Sequence, residues 1–242
     1  MGIMDPDPLL SRATRYTTLA AGTEAVAELE IKRSRFLAVL RRASTEAEAR
    51  ALAEELRRGF HDARHHCSAF VLGPDRDVQR SSDDGEPAGT AGLPMLEALV
   101  LRRTATDAAG RDVTDLSDVS AVVVRWFGGT LLGAGGLVRA YSEAVSQALD
   151  GASLVVRRRQ RLYRLPASHA DAGRIENELR AAGTTVLDTA YGAAGAELGL
   201  ALPDDDAAVA ALHSRVASLT AGAGVLRPVG TDWVDTPAGS RP

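Results

Sequence analysis

Apolar and polar residues alternate along the first patterned segment of the chain. Between Ala25 and Ile31 every second residue is apolar, and glutamates occupy most of the positions in between. This spacing predicts a β-strand with one buried face. The apolar segment 35–42 follows after a tight turn and predicts the antiparallel partner of this strand. Residues 1–18 show no clear period, and we interpret them as a flexible N-terminal arm.

A helical period follows these two strands. Thr45 and Glu48 form a capping box before apolar residues that recur every three or four positions. Pro94 suits the first turn of a second helix, and a third helix is predicted to begin near Gly136. The largely apolar run Val119–Phe127 lies between them and predicts a central strand that is buried on both faces.

The pattern of elements changes near residues 150–151. After this point it predicts strand, helix, strand, strand, helix and strand, which is the order of a ferredoxin-like domain. Asp204 is predicted to cap the second of these helices. A chain of 242 residues is long enough for two domains. We therefore predict an α+β protein with one domain over residues 19–150, a ferredoxin-like domain over residues 157–235 and a disordered tail over residues 236–242.

Composition narrows the functional classes. Apolar residues make up 45% of the chain and charged residues 25%, which is the balance of an ordinary globular protein. A net charge of −4 gives no general case for nucleic-acid binding, although it allows a local basic patch. The single cysteine, Cys67, excludes an internal disulfide. Because we find no signal-peptide pattern and no apolar run of about 20 residues, we expect a cytoplasmic protein that does not enter a membrane.

A glycine-rich segment after the central strand is the first candidate site. It runs from Gly128 to Gly136 and precedes a predicted helix, with Arg125 and Arg139 on either side. Glycines let a ligand approach the backbone, and the start of a helix presents free N–H groups, so this loop could hold a phosphate of a nucleotide or of RNA. The glycines could equally serve only to pack the strand against the helix. The spacing matches neither a P-loop nor the dinucleotide-binding fingerprint.

Three carboxylates within four positions form the second candidate site. Asp83, Asp84 and Glu86 could hold Mg²⁺ or accept hydrogen bonds from a ligand. The alternative is a turn, because Asp-Asp-Gly is typical of turns, with Glu86 capping a helix or pairing with an arginine. The segment lacks the alternating oxygen ligands of a calcium loop. This favours the turn, and we predict no metal site.

Two histidines and the cysteine suggest a zinc site or a cysteine nucleophile with a histidine base. These residues, His65, His66 and Cys67, are consecutive on a predicted strand. Neighbours on a strand point to opposite faces, so the two histidines cannot readily join Cys67 on one ion, and His66 is badly placed to activate the thiol. A buried structural thiol is the simpler interpretation, and we predict no catalytic residue.

An arginine stripe follows the predicted domain boundary. Within a strand, Arg157, Arg159 and Arg161 would share one face. Such a stripe could follow the phosphate backbone of a nucleic acid. It could equally be a solvated edge strand whose cations discourage aggregation.

Four segments of the first predicted domain are distinctive when they are taken together and in order. They are Lys32–Phe36, Asp62–Cys67, Ser82–Gly92 and Val123–Tyr141. This set resembles the YigZ/IMPACT family. The resemblance implies that one binding surface carries the family's signature residues, which are Lys32, Ser34, Arg35, Phe36, Arg64, His65, His66, Asp83, Asp84, Gly85, Glu86, Thr90, Arg125, Gly128, Gly129, Gly133, Gly136, Arg139 and Tyr141.

The resemblance also implies a fold and a functional context. It implies a ribosomal protein S5 domain 2-like fold for the first domain, and a second domain similar to domain V of elongation factor G. Both architectures occur in proteins that contact RNA or the ribosome. The eukaryotic relatives regulate translation by competing for a partner that activates a stress kinase.

The chain departs from the family pattern in two places. Leu93 stands where the family commonly has a lysine, so one positive contact is missing there. Residues 102–117 are longer than the usual connection. Most of them are polar and without a period, and they predict a flexible surface loop.

Two functional hypotheses follow. The first is a non-catalytic binding protein of the translation apparatus, without a cofactor, whose partner is RNA, the ribosome or a translation factor and which regulates translation under stress. The second is an enzyme acting on a phosphorylated small molecule or nucleotide. In the second hypothesis residues 133–136 would hold the phosphate, and Asp84 or Glu86 would place Mg²⁺.

Overall fold

The computed structural model describes residues 12–237 and divides them into two compact units. The larger unit is built on residues 15–157 and the smaller on residues 158–235. Each unit has its own hydrophobic core and combines helices with an antiparallel sheet, so the fold is α+β. Within this described part of the chain, no helix has the length and apolar character needed to cross a bilayer.

The larger unit is a sheet with helices on both faces. Its elements in chain order are β1 (Arg15–Leu19), β2 (Glu24–Ile31), β3 (Ser34–Arg42), α1 (Glu46–Gly59), β4 (His65–Leu72), β5 (Val78–Ser82), α2 (Gly92–Val100), β6 (Ala105–Thr106), β7 (Asp112–Val113), β8 (Val119–Trp126) and α3 (Ala134–Asp150). Five strands form one sheet in the order β2-β3-β8-β4-β5, and paired neighbours are antiparallel.

Strand β8 lies in the middle of this sheet and separates two apolar layers. Its Val122 and Val124 side chains pack with Leu52 of α1 on one face. Its Ala121 and Val123 side chains belong to the core formed with α2 and α3 on the other face. The prediction of a central strand buried on both faces is therefore confirmed.

Strand β1 corrects the prediction of a flexible arm over residues 1–18. Tyr16 and Thr17 of this strand are buried, and the Thr17 N–H donates to the carbonyl oxygen of Asp115 at 3.0 Å. The strand was missed because its buried residues before Leu19 are a tyrosine and two threonines, which do not form an apolar alternation. Residues 1–11 lie outside the described part of the chain.

The connection between α2 and β8 also contains more structure than the predicted flexible loop over residues 102–117. It includes the short hairpin of β6 and β7. Leu116 and Ser117 at its end are buried, and the Ser117 Oγ–H donates to the carbonyl oxygen of Gly73 at 2.6 Å. The prediction is wrong for these residues because polar side chains here make hydrogen bonds inside the unit.

The smaller unit shows the predicted order of strands and helices. Its elements are β9 (Leu154–Ala167), α4 (His169–Ala181), β10 (Thr185–Gly192), β11 (Gly195–Pro203), α5 (Asp206–Leu219) and β12 (Arg227–Pro237). The first four residues of β9 and the last two of β12 fall in the larger unit. Strands β9, β11 and β10 are neighbours in that order and β12 pairs with β9, with β9 and β10 antiparallel to β11. The tail predicted over residues 236–242 is wrong for Thr236 and Pro237, which lie in β12, and residues 238–242 lie outside the described part.

Side-chain caps begin both helices of the smaller unit. At α4, the Ser168 Oγ accepts a hydrogen bond from the N–H of Asp171. At α5 the capping residue is Asp205, whose carboxylate accepts from the Ala207 N–H at 3.2 Å. The prediction that Asp204 caps this helix is wrong by one residue, because the carboxylate of Asp204 accepts from arginines of β9 instead.

The hairpin turn between β2 and β3 requires a glycine in the loop after β8. Lys32 and Arg33 form the turn with φ angles of 49° and 66°, the left-handed region that a tight two-residue hairpin turn uses. Gly128 lies against this turn. A Cβ atom added to Gly128 would lie 2.0 Å from the carbonyl carbon and oxygen of Arg33, so no larger residue fits without movement of the backbone.

We expect the substitution Gly128→Ala to lower the free energy of unfolding by at least about 2 kcal/mol, because the new methyl group overlaps backbone atoms of the turn. Urea denaturation monitored by circular dichroism measures the loss. The control is Gly135→Ala in α3, where an added Cβ meets no atom within 4 Å. It should change stability by less than about 1 kcal/mol. Similar effects of the two substitutions would show that the Gly128 contact is not a constraint.

Candidate functional site

A cleft of about 340 Å³ opens in the larger unit where β4 and α3 begin and β8 ends. We call this space the cleft. Its lining comes from four stretches of chain, represented by Arg64 and His65, Glu86 and Pro87, Arg125 and Phe127, and the segment 131–137. Strand register brings two of these stretches together, because His65 of β4 lies directly opposite Arg125 of β8.

A buried ion pair forms the floor of the cleft. The Arg125 Nη1–H donates to the Glu86 Oε1, and only 6% and 4% of the two side chains are exposed. The same carboxylate oxygen accepts from the Tyr141 hydroxyl at 2.8 Å. The Arg125 Nη2–H donates to the Ser34 Oγ at 3.3 Å. The pair therefore connects β8, the loop before α2, helix α3 and strand β3.

The phenol hydroxyl of Tyr141 in this cluster stays protonated. Burial, together with the neighbouring Cys67 and Glu86, raises the pKa of Tyr141 well above its ordinary value. Its O–H is therefore available as a donor to the carboxylate across the physiological pH range. The Phe36 ring packs edge-on against Tyr141 at 5.3 Å and also lies 5.3 Å from the Arg125 guanidinium carbon. This packing holds both polar groups in position.

Asp83 caps helix α2 from the preceding loop. Its carboxylate accepts hydrogen bonds from the N–H groups of Gly89, Ala91 and Gly92 at 2.8–3.0 Å. Burial alone would raise the pKa of Asp83, but these three donors hold it below its ordinary value. Asp83 therefore has a structural task, since the residue before α2 is an alanine that offers no side-chain cap.

The other two acidic residues of this loop have separate partners. Asp84 accepts from the His66 backbone N–H at 2.6 Å and from the Arg57 Nη2–H at 3.1 Å, whereas Glu86 belongs to the ion pair. The carboxylates therefore do not converge on one ion. Among residues 12–237, no group of three such side chains is placed to hold a metal. The geometry therefore favours a turn over a metal site. Of the two tasks considered for Glu86, capping a helix or pairing with an arginine, the structure shows the pairing with Arg125.

The histidines and the cysteine have separate surroundings. His65 Nδ1 lies 2.9 Å from the carbonyl oxygen of Asp84, and His66 Nε2 lies 3.1 Å from that of Phe60, so the rings point to opposite faces as expected. Cys67 is fully buried, with its Sγ 3.0 Å from a backbone carbonyl oxygen. Burial raises its pKa to about 12, which keeps the thiol protonated and disfavours the nucleophile hypothesis.

The mouth of the cleft is basic and apolar. Arg64 is exposed, and its guanidinium carbon lies 5.6 Å from the centroid of the Phe127 ring. Phe127 is 38% exposed and Leu131 is 81% exposed, although both are large apolar side chains. Helix α3 begins beside them after Gly133, which has a φ angle of 73° and provides no side-chain cap. An open helix start, a cation and an aromatic face therefore meet at this point.

The structure gathers only part of the predicted site residues at the cleft. The residues that line it are Arg64, His65, Glu86, Arg125 and Gly133. Behind them, supporting the ion pair or packing at the loop, are Ser34, Phe36, Tyr141, Gly85, Gly128 and Gly136. The residues that do not line it are Lys32, Arg35, His66, Asp83, Asp84, Thr90, Gly129 and Arg139.

Sequence reasoning missed the apolar residues of the cleft, which are Pro87, Phe127, Leu131, Leu132, Ala134 and Leu137. A large apolar side chain within a glycine-rich loop is a usable signal, because such a loop has few ways to bury it. Arg35 was expected in the site, but it instead bonds to the exposed Glu28 at 2.7 Å.

The arginine stripe is matched by carboxylates. In the larger unit, Arg157 donates to the Tyr16 hydroxyl at 2.8 Å and lies 3.6 Å from Asp118. In the smaller unit, Arg159 and Arg161 both donate to Asp204, at 2.7 and 2.6 Å. The stripe is therefore not an array of uncompensated cations. This supports a structural role for the three arginines over a nucleic-acid site.

Replacing Glu86 by glutamine tests the ion pair. The amide keeps the shape of the side chain but leaves the buried Arg125 charge uncompensated, so we expect the free energy of unfolding to fall by about 3 kcal/mol in urea denaturation. The matched control is Glu28→Gln, which removes the carboxylate partner of the exposed Arg35. It should have a much smaller effect because solvent screens that pair. Equal effects would contradict a central role for the buried pair.

The burial of Cys67 predicts slow thiol chemistry. Because its pKa is raised to about 12, the thiolate is scarce near neutral pH, and we expect almost no reaction with Ellman's reagent in the native protein. Addition of denaturant should release the full reactivity of one thiol. Rapid labelling of the native protein would show that this strand opens or that the thiol is activated.

Two family models match the chain. Residues 32–149 match the Impact N-terminal domain, and residues 166–223 match a domain of unknown function, DUF1949. The first match lies within the larger unit and the second within the smaller.

Known proteins resemble the chain over much of its length. IMPACT family member YvyE of Bacillus subtilis is 44% identical over 165 residues, which cover 68% of this chain and 69% of the relative. IMPACT family member YigZ of Escherichia coli is 47% identical over 122 residues, which cover 50% of this chain and 54% of that protein. A crystal structure described as that of a hypothetical protein is 35% identical, with a TM-score of 0.56, and the match covers 88% of this chain and 96% of that one. The chain therefore belongs to the IMPACT family, as the four distinctive segments of its larger unit predict.

Proposed function

We propose that this protein binds a component of the translation apparatus, either RNA, the ribosome or a translation factor, and that the cleft carries this interaction without catalysing a reaction. The observation that supports it best is the exposed Arg64–Phe127 pair beside the uncapped start of α3. Proteins that hold single-stranded RNA combine cations for the phosphates with aromatic faces for the bases.

The chemistry of the cleft favours binding over catalysis. Glu86 is occupied by Arg125 and Tyr141, and Asp84 by Arg57 and a backbone N–H. The enzyme hypothesis needs one of these carboxylates to place Mg²⁺, and both have other partners. The buried, protonated Cys67 offers no nucleophile.

Fold analogy adds a second line of support. In the smaller unit, a sheet in which β9, β11 and β10 are neighbours and β12 pairs with β9, together with two helices, fits a ferredoxin-like domain, similar to domain V of elongation factor G. For the larger unit we propose a ribosomal protein S5 domain 2-like fold. Both architectures occur in proteins that contact RNA or the ribosome, although the same fold can serve unrelated functions. A cytoplasmic location and a role in regulating translation under stress form part of the proposal.

Ribosome co-sedimentation with the charge reversal Arg64→Glu tests the proposal. We expect association to weaken roughly tenfold or more, because a cation that faces phosphate becomes an anion. The wild-type association should also fall steeply as salt increases. The matched control is Arg215→Glu on α5, an exposed arginine of the smaller unit, which should leave association unchanged. If Arg64→Glu co-sediments as well as the wild-type protein, the cleft is not the binding surface.

A further inference from the structure

We infer that the cleft is a binding site for one nucleotide, with the phosphate at the start of α3 and the base against Phe127. This inference deepens the proposed function and rests on it in one respect, namely that the cleft is the binding surface. It adds the chemical class of the ligand. The recognised group is a phosphate monoester on a nucleoside, either as a free mononucleotide or as the 5′ end of an RNA.

The start of α3 supplies the first part of a phosphate site. The first N–H groups of a helix have no acceptor within the helix, and the dipole of the helix gives this end a partial positive charge. In α3 the residue before the helix is Gly133, which makes no side-chain hydrogen bond, and the first turn carries no acidic residue. The next two residues, Ala134 and Gly135, are exposed and too small to cover these donors.

Arg125 supplies an independent second part. Arg125 lines the same cleft, and only 6% of its side chain is exposed. Its Nη atoms donate to Glu86 and Ser34, but its buried Nε–H has no hydrogen-bond partner among residues 12–237. A buried donor without an acceptor costs about 1–3 kcal/mol, which a ligand oxygen would offset.

The charges around the cleft suit a phosphate. Glu86 compensates Arg125, and Arg64 at the mouth forms no ion pair with any described residue, so one positive charge remains in addition to the helix dipole. His65 faces the same space. Its Nδ1 lies 2.9 Å from the carbonyl oxygen of Asp84, and its Nε2 lies 4.0 Å from the Glu86 Oε1.

The apolar wall defines the other end of the ligand. Phe127, Leu131 and Leu132 line the cleft next to the cations. An exposed aromatic ring offers a stacking surface that any base can use. The volume of about 340 Å³ lies at the lower end of the range for small-molecule sites, which fits one nucleotide and not a duplex.

Isothermal titration calorimetry of the full chain tests this inference with adenosine 5′-monophosphate, adenosine and inorganic phosphate at constant ionic strength. We expect the nucleotide to bind at least about tenfold more tightly than either fragment, because it uses both ends of the cleft. Two short RNAs, identical except for a 5′-phosphate or a 5′-hydroxyl, separate the two sources of the ligand. Tighter binding of the phosphorylated RNA than of the mononucleotide assigns the site to RNA ends, and the reverse assigns it to free nucleotides.

The substitution Ala134→Glu is the sharpest test, because it affects folding and binding in opposite directions. A carboxylate in the first turn of α3 favours the helix dipole, so the melting temperature should stay the same or rise. The same carboxylate repels phosphate, so nucleotide affinity should fall at least about tenfold. The control Ala108→Glu adds an identical side chain to the exposed turn between β6 and β7 and should leave affinity unchanged. Phe127→Ala should reduce nucleotide affinity to that of phosphate alone.

Three outcomes would overturn the inference. They are equal binding of adenosine and its 5′-monophosphate, unchanged affinity in Ala134→Glu, and no detectable binding of either the nucleotide or the phosphorylated RNA. Co-sedimentation separates this failure from failure of the proposed function. If ribosome association depends on Arg64 but no nucleotide binds, only the inference is rejected. If a nucleotide binds but the chain associates with neither ribosomes, RNA nor translation factors, only the proposed function is rejected.

Discussion

The ion pair between Arg125 and Glu86 is the interaction on which the cleft of the larger unit depends. Transfer of the two charged groups out of water costs several kcal/mol for each ion, so the pair is stable only if further hydrogen bonds surround it. Tyr141 and Ser34 provide them. Since the four residues belong to four different stretches of chain, one polar cluster fixes the positions of two strands, a loop and a helix. An arrangement that kept Arg125 and Glu86 buried but apart would leave each buried charge without its partner.

The turn at Asp84 and Gly85 makes this cluster possible. Both residues have positive φ angles, 42° and 84°, and the reversal sends Glu86 towards Arg125. Asp83 before the turn caps α2, and Asp84 bonds to α1 and β4. Three carboxylates that are neighbours in sequence thus serve three different parts of the unit. Three acidic residues within four positions suggest a metal site from sequence, but the turn directs their carboxylates to different partners.

Elements with one apolar face could be predicted from sequence, since burial leaves a period of two or of about 3.6 residues. Strand β1 and the hairpin of β6 and β7 could not, because polar side chains that bond inside the unit leave no such period. Much the same holds for the candidate site. The glycine-rich loop could be identified from its residue types. The ion pair could not, because Arg125 and Glu86 are 39 positions apart and local spacing does not show which arginine pairs with which acid. Phe127 could not be assigned to the cleft from sequence, because its partial exposure is known only from the fold.

Placement of charge, rather than its amount, is the basis of the proposed phosphate recognition. The chain carries a net charge of −4, and in its most basic stretch Arg159 and Arg161 are paired with the carboxylates of Asp204 and Asp206. Arg64 is a single cation in an ordinary stretch of sequence, yet it stands over an aromatic ring and next to an open helix start. Electrostatic recognition depends on cations that the protein itself has not neutralised. The compensated stripe therefore contributes mainly to structure, whereas Arg64 at the mouth of the cleft is an exposed cation without an ion-pair partner among the described residues.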